Sequence, residues 1–273
     1  MNLPSFPPGA DPGPDFARLV RESGLEPPVP DGSSNPGDPG MGIPHGTTCL
    51  AVRYADGVVM AGDRRATSGN LISHRNIEKV FPGDRYSGVA IAGAAGPAVQ
   101  MVRLFQLQLE HYEKVEGDHL SLEGKANQLS QMVAQHLPMA MQGLAVVPIF
   151  AGYDTRRDEG RLFQYDVTGG RYEEADHTST GSGSLHAGTV VKMGWRPDLS
   201  EADAIDLVLD ALYQAAEEDS ATGGPDLLRG IYPIVATITG RGFERVDEAD
   251  LAERTEALIE RLRTRRSSTN GAS

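Results

Sequence analysis

The sequence predicts an α+β fold in which antiparallel sheets carry helices on their outer faces. The predicted elements come in blocks, in the order strands, two helices, strands, two helices and a final strand. Regular alternation of strand and helix, which a doubly wound parallel sheet requires, is missing. The turn at Asp56-Gly57 joins the first two strands as a tight hairpin, and such hairpins are typical of antiparallel sheets. The chain shows no internal repeat.

The predicted strands are apolar runs that end at turn residues. A turn rich in charged residues separates the fourth predicted strand from the fifth. It contains Arg156, Arg157, Asp158 and Glu159, followed by Gly160. The strands are predicted over residues 47–55, 58–62, 87–93, 146–154, 161–167 and 231–239.

The predicted helices show apolar residues at intervals of three and four, which indicates one buried face. The first two cover residues 98–117 and 122–143. Two more are predicted at 185–194 and 200–218, and a charged amphipathic helix at 248–265 precedes a polar tail. The buried faces of the first two are predicted to carry Met101, Val102, Phe105 and Leu109, and Leu129, Met132, Val133 and Leu137.

Residues 1–46 differ in composition from everything that follows. They hold 11 of the 18 prolines of the chain. Such a segment buries too little apolar surface to offset its ordering entropy, so we expect it to be mobile apart from one short helix at Asp15–Gly24. The change at residue 46 divides the chain into a leader, 1–46, and a domain over 47–273 that ends in a polar tail.

The composition argues against two classes of binding partner. A net charge of −13 and a pI near 4.9 argue against nucleic acid or an anionic membrane surface. The chain has no apolar run of about 18 residues and no basic start followed by an apolar stretch, so neither a membrane helix nor a secretory signal is predicted. The single cysteine, Cys49, excludes an internal disulfide framework and fits a reducing compartment, which favours a cytoplasmic location.

Common catalytic motifs are missing. Ser182 is not a nucleophile elbow, because Thr180 and Ser184 stand where that motif needs glycines. The chain has no HExxH or paired cysteine motif, and its seven histidines are scattered, so no metal or other cofactor is predicted. The segment Gly93–Gly96 lacks the Lys-Ser/Thr ending of a phosphate loop, which argues against a nucleotide site.

The segment Gly46-Thr47 suggests a different chemistry. A threonine hydroxyl needs a base to become a nucleophile. Cleavage before Thr47 would create an α-amino group with an ordinary pKa of about 7.7–8.0, which provides that base within the same residue. The branched side chain restricts χ1 and orients the hydroxyl. Gly46 can adopt the tight geometry in which its carbonyl meets that hydroxyl.

At this point the chain resembles a known family. The motifs occur in order along the sequence: Gly46-Thr47-Thr48, Gly62-Asp63-Arg64-Arg65, Lys79, Ala92-Gly93-Ala94-Ala95-Gly96, Gly181-Ser182-Gly183-Ser184 and Asp219-Ser220-Ala221-Thr222-Gly223-Gly224. With these motifs, residues 47–240 resemble the proteasome β-subunits, especially those of actinobacteria. The resemblance implies a four-layer α/β/β/α sandwich with two antiparallel sheets, the N-terminal-nucleophile hydrolase fold.

The resemblance also implies roles for individual residues. Thr47 would be the nucleophile, freed by autocatalytic cleavage at Gly46–Thr47, and its amine would accept the proton. Lys79, paired with Asp63, would stabilise the developing alkoxide. The Gly93 N–H would donate to the oxyanion. Three residues would orient the amine: Ser182, Asp219 and Thr222.

The family pattern also implies a substrate cleft. The pocket for the residue before the scissile bond would be lined by Ala66, Ile77, Ile91, Ala95 and Val99. All five are uncharged and apolar, which predicts a preference for hydrophobic side chains. The backbones of Thr67 and Ala95 would hold an extended peptide by strand addition.

The implied assembly is a stack of seven-membered rings, with β-subunits inside and α-subunits outside. An ATP-driven unfolding ring would deliver unfolded proteins through the α-rings. The leader would mask the amine until assembly. Two alternatives remain: a catalytically silent ring subunit, disfavoured because Gly46, Thr47, Asp63 and Lys79 occur together, and another self-processing amidase that acts on small molecules.

Overall fold

The structure is a computed structural model that describes residues 46–270. The leader, except Gly46, and its predicted helix at Asp15–Gly24 lie outside the described residues. The strands are β1 (Thr48–Tyr54), β2 (Gly57–Gly62), β3 (Ala66–Ser68), β4 (Leu71–His74), β5 (Val80–Asp84), β6 (Ser87–Gly93), β7 (Val146–Asp154), β8 (Glu159–Tyr165), β9 (Arg171–Glu174), β10 (His177–Gly181), β11 (Ile234–Thr239) and β12 (Gly242–Arg245). The helices are α1 (Ala95–Glu116), α2 (Leu122–Gln135), α3 (Leu137–Ala140), α4 (Ser184–Gly194), α5 (Glu201–Glu218) and α6 (Glu248–Asn270).

The strands form two five-stranded antiparallel sheets and a separate hairpin. The first sheet has the order β10-β1-β2-β11-β12 and the second has the order β5-β6-β7-β8-β9. β3 and β4 pair only with each other. The predicted hairpin joins β1 and β2, but its turn lies at Ala55-Asp56, one residue earlier than predicted, because Gly57 already pairs with Tyr54.

The two sheets lie face to face between layers of helices. Along β1, Leu50 and Val52 pack on the helical side against α4 and α5, while Cys49 and Ala51 point into the core shared with the second sheet. This alternation follows from the two-residue period of a strand. α1 and α2 cover the outer face of the second sheet, where Phe105 and other apolar residues are buried. The predicted α+β sandwich is therefore confirmed.

Several predicted boundaries were wrong. The helix predicted over 122–143 ends at Gln135 and is followed by the short α3, because Pro138 lacks an N–H and its ring obstructs a continuous helix. The strand predicted from residue 231 begins at Ile234, directly after Pro233. The sequence did not predict β3, β4, β5, β9, β10 or β12. No helix within residues 46–270 is long and apolar enough to cross a membrane.

Leu129→Ala tests the core beneath α2. Leu129 is fully buried between α2 and the second sheet. Its truncation removes apolar contacts and leaves a cavity, so we expect the free energy of unfolding to fall by about 2–5 kcal/mol. Denaturant unfolding of the purified chain measures this change. The matched control Leu228→Ala, at a leucine that is 90% exposed, is expected to leave the midpoint unchanged; equal effects of the two variants would contradict the packing.

Candidate active site

The candidate site lies at the edge of the first sheet where β1 begins and its two neighbours end. Thr48 pairs with Gly181 at the end of β10, and Cys49 pairs with Gly62 at the end of β2. This register brings Thr47 beside Ser182, although the two are 135 residues apart in sequence. Antiparallel pairing thus assembles the site from distant segments.

The Asp63 carboxylate is fully buried and accepts four hydrogen bonds. Its Oδ1 accepts from the Thr48 N–H at 2.8 Å and from Lys79 Nζ at 2.6 Å. Its Oδ2 accepts from the backbone N–H groups of Arg65 at 2.9 Å and Gly223 at 2.8 Å. Each oxygen therefore has two donors, and a buried carboxylate is stable only with such compensation.

Lys79 is 2% exposed and directs its ammonium group towards the Gly46–Thr47 bond. Besides Asp63, Nζ donates to the Arg65 carbonyl at 2.6 Å and to the Gly46 carbonyl at 3.4 Å. An ammonium group has three donors, so these contacts use all of them. The contact with the Gly46 carbonyl would polarise the bond whose cleavage the sequence predicts.

Asp219 forms the centre of a second group of contacts where α5 ends. Its Oδ2 accepts from Ser182 Oγ at 2.5 Å and from Thr222 Oγ1 at 2.6 Å, and its Oδ1 accepts from the Ala221 N–H at 3.1 Å. Burial alone would raise the pKa of Asp219, but donation from Ser182, Thr222 and Ala221 outweighs it and the pKa lies below its ordinary value. Asp219 is therefore ionised at neutral pH.

Ser182 links this second group to Thr47. The single hydroxyl proton of Ser182 is used on Asp219, so Ser182 Oγ accepts the hydrogen bond from the Thr47 nitrogen at 3.3 Å. In the uncut chain this nitrogen belongs to the peptide bond, and after cleavage it would be the α-amino group. Thr47 itself is 3% exposed.

The structure places the predicted oxyanion donor, Gly93, at the end of β6. Its φ of +114° is accessible to glycine, and a Cβ there would lie 2.0 Å from the Ala145 carbonyl oxygen. Larger residues would therefore displace the backbone. This accounts for glycine at a position whose predicted role uses only the N–H.

The predicted cleft residues come from three elements and from the segment before Lys79. Thr67 Oγ1 accepts from the Gly46 N–H at 3.3 Å, and the Ile91 N–H donates to the Lys79 carbonyl at 2.9 Å. Ala66 and Thr67 belong to β3, Ile91 to β6, Ala95 and Val99 to α1, and Ile77 precedes Lys79. Ala95 is exposed, Ile77 and Val99 are half-buried, and the other three are buried.

Sequence reasoning missed two features of the site. It interpreted Thr48 as an ordinary strand residue, but Thr48 Oγ1 lies 2.5 Å from Thr222 Oγ1. It also missed the close packing of Gly46, where a Cβ would lie 1.8 Å from the Cβ of Ala221. No local pattern signals either contact, because the partners come from distant segments.

Cys49 does not compete as a nucleophile. Burial raises the pKa of its thiol to about 12, although the nearby Lys79 charge opposes this shift. The thiol therefore stays protonated at neutral pH and contacts the Ile91 carbonyl oxygen at 3.6 Å. Within residues 46–270, no three His, Cys, Asp or Glu side chains are grouped so that they could hold a metal ion.

Comparison with known proteins gives consistent results. A family model described as proteasome subunit matches residues 43–226. A protein of Acidimicrobium ferrooxidans named proteasome subunit beta is 60% identical over 265 residues, which is 97% of this chain and 96% of the relative. A protein of Streptomyces griseus with the same name is 59% identical over 80% of this chain and 78% of the relative. Another of the same name, from Jonesia denitrificans, is 57% identical over 79% of this chain and 71% of the relative.

Asp63→Asn tests the buried carboxylate. The amide would place its NH₂ group opposite two of the four donors and leave Lys79 without its carboxylate partner. We expect the free energy of unfolding to fall by about 3–5 kcal/mol, which is typical when one partner of a buried ion pair is removed. Denaturant unfolding measures this loss. Glu110→Gln, which breaks an exposed pair with Lys114, is the matched control and is expected to leave the midpoint unchanged.

Proposed function

The chain belongs to the proteasome subunit family, and from this premise we propose that Thr47 is the N-terminal nucleophile of a threonine endopeptidase. Its relatives make it a β-type subunit of a 20S-type proteolytic core. The observation that carries the threonine chemistry is the position of the Thr47–Thr48 segment between two carboxylates. Asp63 with Lys79 lies on one side, and Asp219 with Ser182 lies on the other.

The first reaction would be cleavage of the chain at Gly46–Thr47. The Thr47 hydroxyl adds to the Gly46 carbonyl, which accepts a hydrogen bond from Lys79 at 3.4 Å. Addition forms the C–O bond, collapse of the tetrahedral adduct breaks the C–N bond, and the hydroxyl proton passes to the nitrogen, so that the product is an ester with a free α-amine. Water then hydrolyses the ester and releases residues 1–46. Close contact with Ala221 favours glycine at position 46, because a side chain there would displace the scissile bond.

The second reaction would be hydrolysis of a substrate peptide bond. The freed amine takes the hydroxyl proton, and Oγ1 attacks the substrate carbonyl. Lys79 stabilises the alkoxide, and the Gly93 N–H donates to the oxyanion. The amine then gives the proton to the leaving nitrogen, and water hydrolyses the acyl ester. Ser182, held by Asp219, orients the amine throughout.

The substrates would be unfolded proteins with hydrophobic side chains before the cut. The six predicted cleft positions carry no charge, and five of them are apolar. Thr67 belongs to the short hairpin of β3 and β4, whose strands pair only with each other among the described residues. Such a hairpin offers backbone groups to an extended peptide.

The subunit assembles into a proteasome complex, and we propose stacked heptameric rings with α-subunits outside and β-subunits inside. An ATP-dependent unfolding ring would act through the α-rings, and the complex would be cytoplasmic. On α1, Leu104, Leu107 and Val115 are 49–65% exposed. Leu107 and Val115 border a groove of about 620 Å³, and Leu104 borders a separate groove. Exposed apolar side chains on one helix favour contact with neighbouring subunits.

Thr47→Ala tests the nucleophile. Alanine lacks the hydroxyl for either reaction, so we expect the chain to keep residues 1–46 and to lose peptide hydrolysis by at least about 10³-fold. Intact mass of the assembled protein reports cleavage, and a fluorogenic peptide with leucine before the cut reports hydrolysis. Wild-type protein is expected to begin at Thr47.

Thr47→Ser is the matched control for this variant. Serine keeps the hydroxyl but lacks the methyl group that restricts χ1, so cleavage should continue and hydrolysis should fall by roughly tenfold or less. Full hydrolysis by Thr47→Ala would show that another residue is the nucleophile. An uncut wild-type chain in active particles would refute the mechanism.

A pair of peptides tests the hydrophobic preference. The two differ only in leucine or glutamate before the scissile bond. Burial of an unpaired carboxylate among apolar side chains is unfavourable, so we expect kcat/KM to be at least about tenfold higher for the leucine peptide. Thr47→Ala particles give the background for both. Equal rates for the two peptides would rule out the apolar pocket.

A further inference from the structure

We infer that Thr48 is a positioning residue whose hydroxyl couples the two carboxylate centres of the site. This inference rests on the proposed function, because it concerns how Thr47 is held for catalysis. The sequence alone suggests only a strand residue at this position.

Thr48 contacts Asp63 directly and reaches Asp219 through Thr222. It is fully buried, and its N–H donates to Asp63 Oδ1 at 2.8 Å. Its Oγ1 lies 2.5 Å from Thr222 Oγ1, and Thr222 contacts Asp219 at 2.6 Å. One residue thus connects the carboxylate that holds Lys79 with the carboxylate that holds Ser182.

The direction of the hydrogen bond follows from the number of protons. Thr222 has one hydroxyl proton and uses it on Asp219, so Thr222 Oγ1 accepts and Thr48 donates. The resulting chain of hydrogen bonds runs from Thr48 through Thr222 to Asp219, which also accepts a hydrogen bond from Ser182. Donation from Thr48 polarises the Thr222 hydroxyl and strengthens its bond to Asp219.

The backbone of Gly183 packs closely against this pair of hydroxyls. A Cβ at Gly183 would lie 2.2 Å from Thr48 Oγ1 and 2.7 Å from Thr222 Oγ1, so the backbone of Gly183 covers the contact. Thr222 is also fully buried. Removal of the Thr48 hydroxyl would leave Thr222 Oγ1 without a donor and without access to water, so Thr222 would shift. Asp219 and Ser182 would follow, and the amine of Thr47 would lose its orientation.

The experiment compares Thr48→Ala with Thr48→Ser in assembled particles. Alanine removes the hydroxyl, whereas serine removes only the methyl group. Hydrolysis of the leucine-containing fluorogenic peptide is measured per processed chain, with the processed fraction taken from intact mass. We expect Thr48→Ala to lower kcat about tenfold with KM within about twofold, because orientation of the amine is lost but the cleft is kept. Thr48→Ser is expected to stay within about twofold of wild type.

Thr178→Ala is the matched control on the neighbouring strand β10. Thr178 is 5% exposed, and its hydroxyl has no hydrogen-bond partner. We expect its kcat to equal that of wild type, although it too removes a buried hydroxyl and a methyl group. A tenfold loss in this variant would assign the Thr48→Ala effect to packing and would overturn the inference.

A double-mutant cycle with Thr222→Ala tests whether Thr48 acts through Thr222. If Thr48 acts through Thr222, the two losses are not additive, and Thr48→Ala should change kcat less than about twofold in the Thr222→Ala background. Full additivity would overturn the inference, as would wild-type kcat in Thr48→Ala or equal losses in Thr48→Ala and Thr48→Ser. The Thr47→Ala variant distinguishes failure of the proposed function from failure of the role of Thr48. Activity retained in Thr47→Ala refutes the proposed function. An inactive Thr47→Ala variant together with a fully active Thr48→Ala variant refutes only the role of Thr48.

Discussion

A buried carboxylate with four donors joins the segments that build the site. Asp63 receives hydrogen bonds from the start of β1, from Lys79, from its own loop at Arg65 and from Gly223, 160 residues away. In a buried environment the negative charge is stable only while these donors stay in place. The same requirement therefore fixes the start of β1, the Lys79 ammonium group and the loop after α5 relative to one another.

The two carboxylates of the site differ in environment, and the difference suits the roles proposed for them. Asp63 is fully buried and pairs with the Lys79 ammonium group, so it holds the positive charge that would act on a developing alkoxide. Asp219 is partly exposed, and its partner Ser182 is exposed. A freed amine beside Ser182 would exchange protons with water and the leaving group. The buried pair is thus suited to hold charge and the open pair to guide proton transfer.

The sequence predicted the elements that are buried on both faces and missed those that are not. β1, β2, β6 and β7 are apolar runs because one face meets helices and the other meets the second sheet. β4 is exposed along its whole length, and β10 carries the polar sequence HTSTG, so neither has the apolar pattern of a strand. For the site, the order of the family motifs along the sequence indicated Asp63 and Lys79 as candidate residues. Thr48 could not be identified in this way, because its partner Thr222 is 174 residues away.

The same long separations in sequence limit when the proposed catalyst would form. The Thr47 nitrogen contacts Ser182, 135 residues further along, and the Gly46 carbonyl contacts Lys79, 33 residues away. An unfolded chain brings none of these groups together, since closing such loops has an entropic cost that only the packed sheets offset. If the proposed cleavage occurs, the Gly46–Thr47 bond would become reactive only after β10 has paired with β1 and α5 has placed Asp219. By this proposal folding itself protects the nascent chain, and the leader would cover Thr47 in the interval between folding and assembly.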